Sequence, residues 1–289
     1  MLFQKTKRHF PIVLFSFFIV SCGGNVKNNS DSAANDSISK TGTQKDSGST
    51  SAIAFALPAP LQIATMLKNN AVSFSEKALV PHKPNRVFPS DYSRAINLGM
   101  YTTDLGYTAV FGQKQITLNY YKEVNNLLND LHLPEKVNMA MAKRFQNNIE
   151  NTDSLCMIIL GSFNQWQSYF QENNREDDGL YILAGTYIEG LYLSLNHPAI
   201  QKTEAFRSLV GQQKLFLDNI LELSNYMDKK PDFDDLYSKL GAIQQAYDAI
   251  HVSVTTDKQG KNTISCSFTP QQLASLTAKT MEIRNSILN

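Results

Sequence analysis

Beyond residue 57 apolar positions recur at intervals of three and four, a spacing that predicts helices divided by short breakers. A first helix is expected from near Pro58 to near Asn70. The segment Val80–Pro89 carries three prolines within ten residues and must be extended or turned. Ser90 then caps a helix to about Phe111, and a further one runs from Gln113 to Leu131. Pro134 opens another to about Glu150, and Thr152 or Asp153 begins one that ends near Glu172. Three more cover Asp177 to Asn196, closed by His197-Pro198, then Thr203 to Met227, and Asp232 to about Ile250.

The period next changes from helical to alternating. HVSVTT and NTISCSF flank DKQGK, which predicts one β-hairpin near residues 251–268. Thr269-Pro270-Gln271-Gln272 supplies an N-cap, a first-turn proline and a capping-box glutamine for a last helix ending near Leu288. The expected fold for residues 52–289 is therefore all-α: a helical bundle of about eight or nine antiparallel helices with one inserted hairpin.

The N-terminus reads differently. Lys5, Lys7 and Arg8 precede an apolar run from Phe10 to Val20, too short to span about 30 Å of hydrocarbon as a permanent helix. The run ends in Ile19-Val20-Ser21-Cys22, which resembles the lipobox of bacterial lipoproteins. That resemblance implies cleavage of residues 1–21, lipid attachment at Cys22, and a membrane partnership through the N-terminal lipid. Two or three acyl chains hold far more firmly than one, at about 0.8 kcal/mol per buried methylene. Gly23, rather than an aspartate, follows the cysteine and favours outer-membrane placement, facing the periplasm or the cell surface. Residues 22–51 are nearly all Gly, Ser, Asn, Asp, Thr and Lys, a composition that cannot repay its ordering entropy and predicts a disordered tether.

Two of the predicted helices each carry a lone acid. Between Arg94 and Lys114 the only charged side chain is Asp104, in a stripe with Met100, Tyr107 and Phe111 and beside Leu98, Tyr101 and Leu105. In GLYILAGTYIEGLYLSLN the only charge is Glu189, with Gly185 and Tyr192 on its stripe and Tyr187 close by. Both acids have a tyrosine three residues on, and both helices are followed by Gly-Gln, at 112–113 and 211–212. This echo allows two similar four-helix halves, 90–173 and 177–289. Glycines 99 and 106 are placed for close helix approach, at a cost of about 1 kcal/mol each relative to alanine.

A carboxylate in such a seam is expensive unless it is paired or hydrogen-bonded. The first reading makes Asp104 and Glu189 polar pins that accept hydrogen bonds from Tyr, Thr or Gln side chains. The second makes them part of a ligand pocket with Tyr101, Tyr107, Tyr187 and Tyr192. Acid/base catalysis is a distant third, because it needs both acids on one accessible cleft.

Other chemistry is thinly signalled. The five histidines are scattered, with no His-Glu-x-x-His, Cys-x-x-Cys or Glu-x-x-His, so neither a metal nor a cofactor is expected. No Gly-x-Ser-x-Gly, Walker loop or dinucleotide fingerprint occurs, and no catalytic residue is assigned. Removing residues 1–21 takes three of 27 Lys+Arg and leaves 24 against 26 Asp+Glu, a net charge of −2 that offers nucleic acid no footprint. Cys156 and Cys266 are expected as separate small thiols. Phe163, Trp166 and Phe170 form a core stripe, and Arg175–Asp178 reads as a solvated loop and helix start.

The lipobox, the tether, LGMYTTDLGYTAVFGQ and GTYIEGLYLSLN together resemble an uncharacterised family of helical cell-envelope lipoproteins from Bacteroidota. The resemblance implies an envelope location and an all-α body. It implies no activity, so the expected function is non-catalytic binding or scaffolding with an envelope protein as partner.

Overall fold

The computed structural model describes residues 61–82, 86–197, 201–225, 231–260 and 262–289. The expected signal segment, Cys22, the expected tether, the expected helix start at Pro58, and Pro198, Met227 and Lys261 lie outside the described residues. What is described belongs to one compact unit spanning Ile53–Asn289, so residues 90–173 and 177–289 are not separate bodies.

The unit is all-α. Its described elements are α1 (Gln62–Asn69), a 3₁₀ turn (Glu76–Ala78), α2 (Asp91–Val110), α3 (Lys114–Asp130), α4 (Glu135–Asn147) and α5 (Thr152–Glu172). There follow α6 (Glu176–Leu195), α7 (Glu204–Ser224), α8 (Pro231–Tyr247), the strands β1 (His251–Thr256) and β2 (Asn262–Ser267), and α9 (Pro270–Leu288). Capping chemistry sets the starts: Ser90 and Thr269 form capping boxes with Ser93 and Gln272, while Asn151 and Thr203 accept from Ser154 and Phe206 amides. Left-handed residues set several ends. Ala71, Gly112, His132 and Asn174 have positive φ, and the amide after each reaches back to the helix in a Schellman closure.

Two helices form the spine. Residues 95–110 of α2 and 178–191 of α6 are buried without interruption, so these helices are covered on every side. Around them α1, α5 and α9 touch both, α3 lies on α2, and α7 lies on α6. The spine helices meet backbone to backbone. A methyl group added at Gly99 would overlap the Ile182 carbonyl and lie 2.7 Å from the Thr186 nitrogen, and one at Gly185 would overlap the Ile96 carbonyl. Pairs along the seam rise together in number, Tyr92 with Tyr181, Ile96 with Gly185, Gly99 with Thr186 and Tyr107 with His197, so this central pair runs parallel.

The two Gly-Gln pairs do not open their helices as the sequence echo expects. Gly112 closes α2 rather than opening α3, and Gly211 lies inside α7. There Gly211 seats the hairpin: its missing side chain leaves room for Ile264, Cys266 and Val252. β1 and β2 pair antiparallel with Val252 opposite Cys266 and Val254 opposite Ile264.

The spine contact is testable by substitution. Gly99→Ala and Gly185→Ala are each expected to lower stability by about 3 kcal/mol or more, because backbone cannot move aside as a side chain can. Gly161→Ala and Gly241→Ala, at open helix positions, should instead gain about 0.5–1 kcal/mol. Urea unfolding midpoints separate the two pairs.

Candidate functional site

Asp104 and Glu189 meet about one turn beyond the glycine crossing. Both are fully buried, at 0% exposure. Glu189 is gripped by Arg284 of α9 in a two-pronged pair, Nε to Oε2 at 2.7 Å and a terminal nitrogen to Oε1 at 2.8 Å. The guanidinium also donates to the Ala78 carbonyl at 3.3 Å and lies 3.9 Å from the centre of the Tyr192 ring. Asp104 Oδ2 accepts the Val80 amide at 2.7 Å, and the Val80 carbonyl accepts the Tyr120 hydroxyl at 2.5 Å.

Asp104 Oδ1 is buried and receives no donor. Its polar neighbour is the Glu189 carboxylate, and two ionised carboxylates offer each other only lone pairs. The arrangement is satisfied when Oδ1 carries a proton and donates it to Glu189. Burial first, then the charge of Glu189, hold Asp104 well above the ordinary carboxyl range. Glu189 is also raised by burial, but the guanidinium opposes the shift. Burial pushes Arg284 down, but the charge and hydrogen bond of Glu189, with Asp104 and Tyr192, together raise it, so it stays charged. With one proton on Asp104, the cluster of two acids and one guanidinium is electrically neutral.

Of the tyrosines expected here, the structure brings Tyr192 and Tyr101. Tyr192 stacks under Arg284, and Tyr101 lies edge-on to Phe88 and tilted against Tyr120 beside Asp104. Tyr107 instead accepts the Ser75 amide at 3.1 Å and stacks on Phe74, with His197 beyond. Tyr187 faces Tyr247, whose hydroxyl donates to the Val210 carbonyl on the α7 side of the spine. The expected donors to the acids are corrected as well: an arginine and a backbone amide serve them, not Tyr, Thr or Gln side chains.

Sequence reading passed over Arg284, Tyr120 and Val80. A signal for the first was present, since Leu276, Thr280, Arg284 and Leu288 recur every four residues and put the arginine on the buried stripe of α9. Arg175–Asp178 is the helix start expected, with three acids in the first turn of α6, but Arg175 and Asp178 are not solvated loop residues. Arg175 stacks on Phe170, pairs with Asp178 at 2.7 Å and donates to the Leu131 carbonyl at 2.8 Å, tying the α5–α6 corner to the end of α3. Phe163, Trp166 and Phe170 are core residues. Cys156 and Cys266 are both free thiols.

Residues 75–81 form a strap that closes the cluster from one side. Outside it lies a cleft of about 250 Å³, lined by Lys77, Val80, His82, Ile116, Asn119 and Tyr120 among others, and neither acid reaches that cleft. Among the described residues no group of three or more His, Cys, Asp or Glu could hold a metal ion, and no helix is long and apolar enough to cross a membrane. No protein-family model, curated protein or solved structure matches the chain.

Two substitutions test the charge assignment. Arg284→Met leaves an unpaired buried carboxylate and should cost about 3–5 kcal/mol near neutral pH, less in acid where Glu189 gains a proton. For Asp104 the folded-state pKa lies above the unfolded one. Its contribution to stability is therefore greatest below the ordinary carboxyl pKa, and is lost as pH rises toward the raised value. Asp104→Asn should remove up to about 1.4 kcal/mol per pH unit of that slope. Urea titrations of the wild type and the variant from pH 5 to pH 8 measure the difference.

Proposed function

We propose that the chain is a lipid-anchored protein of the outer membrane whose helical body has a non-catalytic binding or scaffolding role. The anchor reading rests on the ordered series of basic residues, apolar run, Ser21 and Cys22, with a polar tether beyond. The reading of the body rests on one observation. The acid cluster is the place where a site was expected, and it is sealed, internally paired and neutral when it holds one proton.

Catalysis by paired carboxylates requires access for substrate and for water. Neither carboxylate has access in the closed arrangement. The small-ligand reading keeps the outer cleft, but about 250 Å³ is below the roughly 300–1,000 Å³ of small-molecule pockets. A near-neutral surface gives nucleic acid no attraction, which leaves an envelope protein as the partner this reading implies.

Cys22→Ala tests the anchor. Expressed as the full chain in a diderm bacterium, the wild type should incorporate labelled fatty acid and enter the detergent phase, while the variant should lose both properties. A variant that keeps its label and its membrane fraction overturns the anchor.

A further inference from the structure

The strap between α1 and α2 is held by its backbone. The Ser75 amide donates to Tyr107, the Ala78 carbonyl accepts from Arg284, the Val80 amide donates to Asp104 Oδ2, and the Val80 carbonyl accepts from Tyr120. These four partners stand on α2, α3 and α9, and two of them belong to the acid cluster. Ala78, Leu79 and Val80 are themselves buried, so the strap is both the cover of the cluster and part of its wiring.

We propose that the strap is a proton-held latch: the proton between Asp104 and Glu189 keeps residues 75–81 closed over the cluster, and its loss to solvent releases them. With the proton in place, Oδ1 is a donor to Glu189 and Oδ2 is free to accept the Val80 amide. Without it, two carboxylates share one guanidinium in a dry site, and the uncompensated charge must be hydrated. The cleft of about 250 Å³ lies on the outer side of the strap, lined by Val80 and Tyr120 among others. Lifting the strap would open the cluster toward it. No other reactant is needed, since a proton leaves Asp104 Oδ1 for bulk water.

The ionisable groups facing Asp104 from the packed elements are Glu189 on α6, Arg284 on α9 and Tyr120 on α3, with Tyr101 and Tyr107 on its own helix. Burial raises all three tyrosines, so they stay neutral while the acid titrates. Arg284 remains charged throughout. The single charge change available to the cluster on going alkaline is the loss of this proton. Burial and Glu189 place that event above the range of ordinary carboxyls.

Hydrogen exchange of the full-length protein from pH 5 to pH 10, corrected for the intrinsic pH dependence of exchange, reads the latch at the amides of residues 75–81. In the wild type their protection should fall about tenfold per pH unit from the ordinary carboxyl range upward, as one proton is released per opening, and level off above the raised value of the closed acid. Asp104→Asn imitates the protonated acid, with its carbonyl accepting the Val80 amide and its NH₂ donating to Glu189, and should keep the strap protected across the range. Tyr120→Phe removes a strap contact but no proton, and should lower protection at every pH with an unchanged slope. The proposal is overturned by protection that does not vary with pH in the wild type, or by an Asp104→Asn strap whose protection falls with pH as in the wild type. Infrared spectroscopy of the wild type is an independent check that needs no variant. A buried protonated carboxyl band that is lost at the alkaline end of the fall in strap protection supports the latch, and the lack of such a band overturns it.

Discussion

Backbone contact between α2 and α6 at Gly99 and Gly185 is the constraint on which the rest of the bundle depends. Two helices that touch without intervening side chains must send their remaining side chains outward to other helices, and α1, α3, α5, α7 and α9 supply those surfaces. Burial on all sides follows, as does the near absence of charge along both helices. The small hydroxyls Thr102, Thr103, Thr108 and Ser194 each return to a carbonyl three or four residues back in their own helix. Thr103 and Thr186 also lie 3.5 and 3.4 Å from carbonyls across the seam. The spine is thus held by shape, with long polar contacts across the seam, rather than by charge.

Against that background the acid cluster is a cost with a specific return. A buried ion pair adds little net stability, because desolvation consumes most of the Coulomb gain. What it adds is register. An apolar stripe on α9 would tolerate a slip of one turn along the spine, whereas the two-pronged bond from Arg284 to Glu189, with Tyr192 beneath the guanidinium, has one geometry. The same guanidinium reaches Ala78, so the position of α9 also fixes the strap. One side chain therefore joins the last helix, the sixth helix and the segment that precedes the second.

Much of this was legible in the sequence because local rules carried it. Ser90, Pro134, Thr203 and the Thr269–Gln272 capping box marked helix starts that lie within a residue or two of those observed, and alternation marked the hairpin strands. The burial of Asp104 and Glu189 was legible as well, since each is the lone charge in a long uncharged run. Their partners were not. Arg284 is 95 residues from Glu189, Val80 is 24 from Asp104, and the Val80–Tyr120 bond spans 40, so no local period connects them. Gly112 and Gly211 misled for a related reason. A glycine can end a helix, as at 112, or clear a seat for another element, as at 211, and its letter is the same in both roles.

The identity of residue 104 carries a last distinction. A static pin at this point needs one acceptor for the Val80 amide and one donor toward Glu189, and asparagine offers both at nearly the same size. Aspartate meets the same demand only after taking up a proton that it would not hold in water at neutral pH, so burying it costs free energy that the amide would not. Architecture alone therefore favours the amide. The property that the acid has and the amide lacks is an exchangeable charge, and that charge sits at the junction of the strap, the spine and the last helix. In a neutral core with so few ionisable groups, an acid kept at such a junction is better explained by the change it permits than by the contacts it makes when closed.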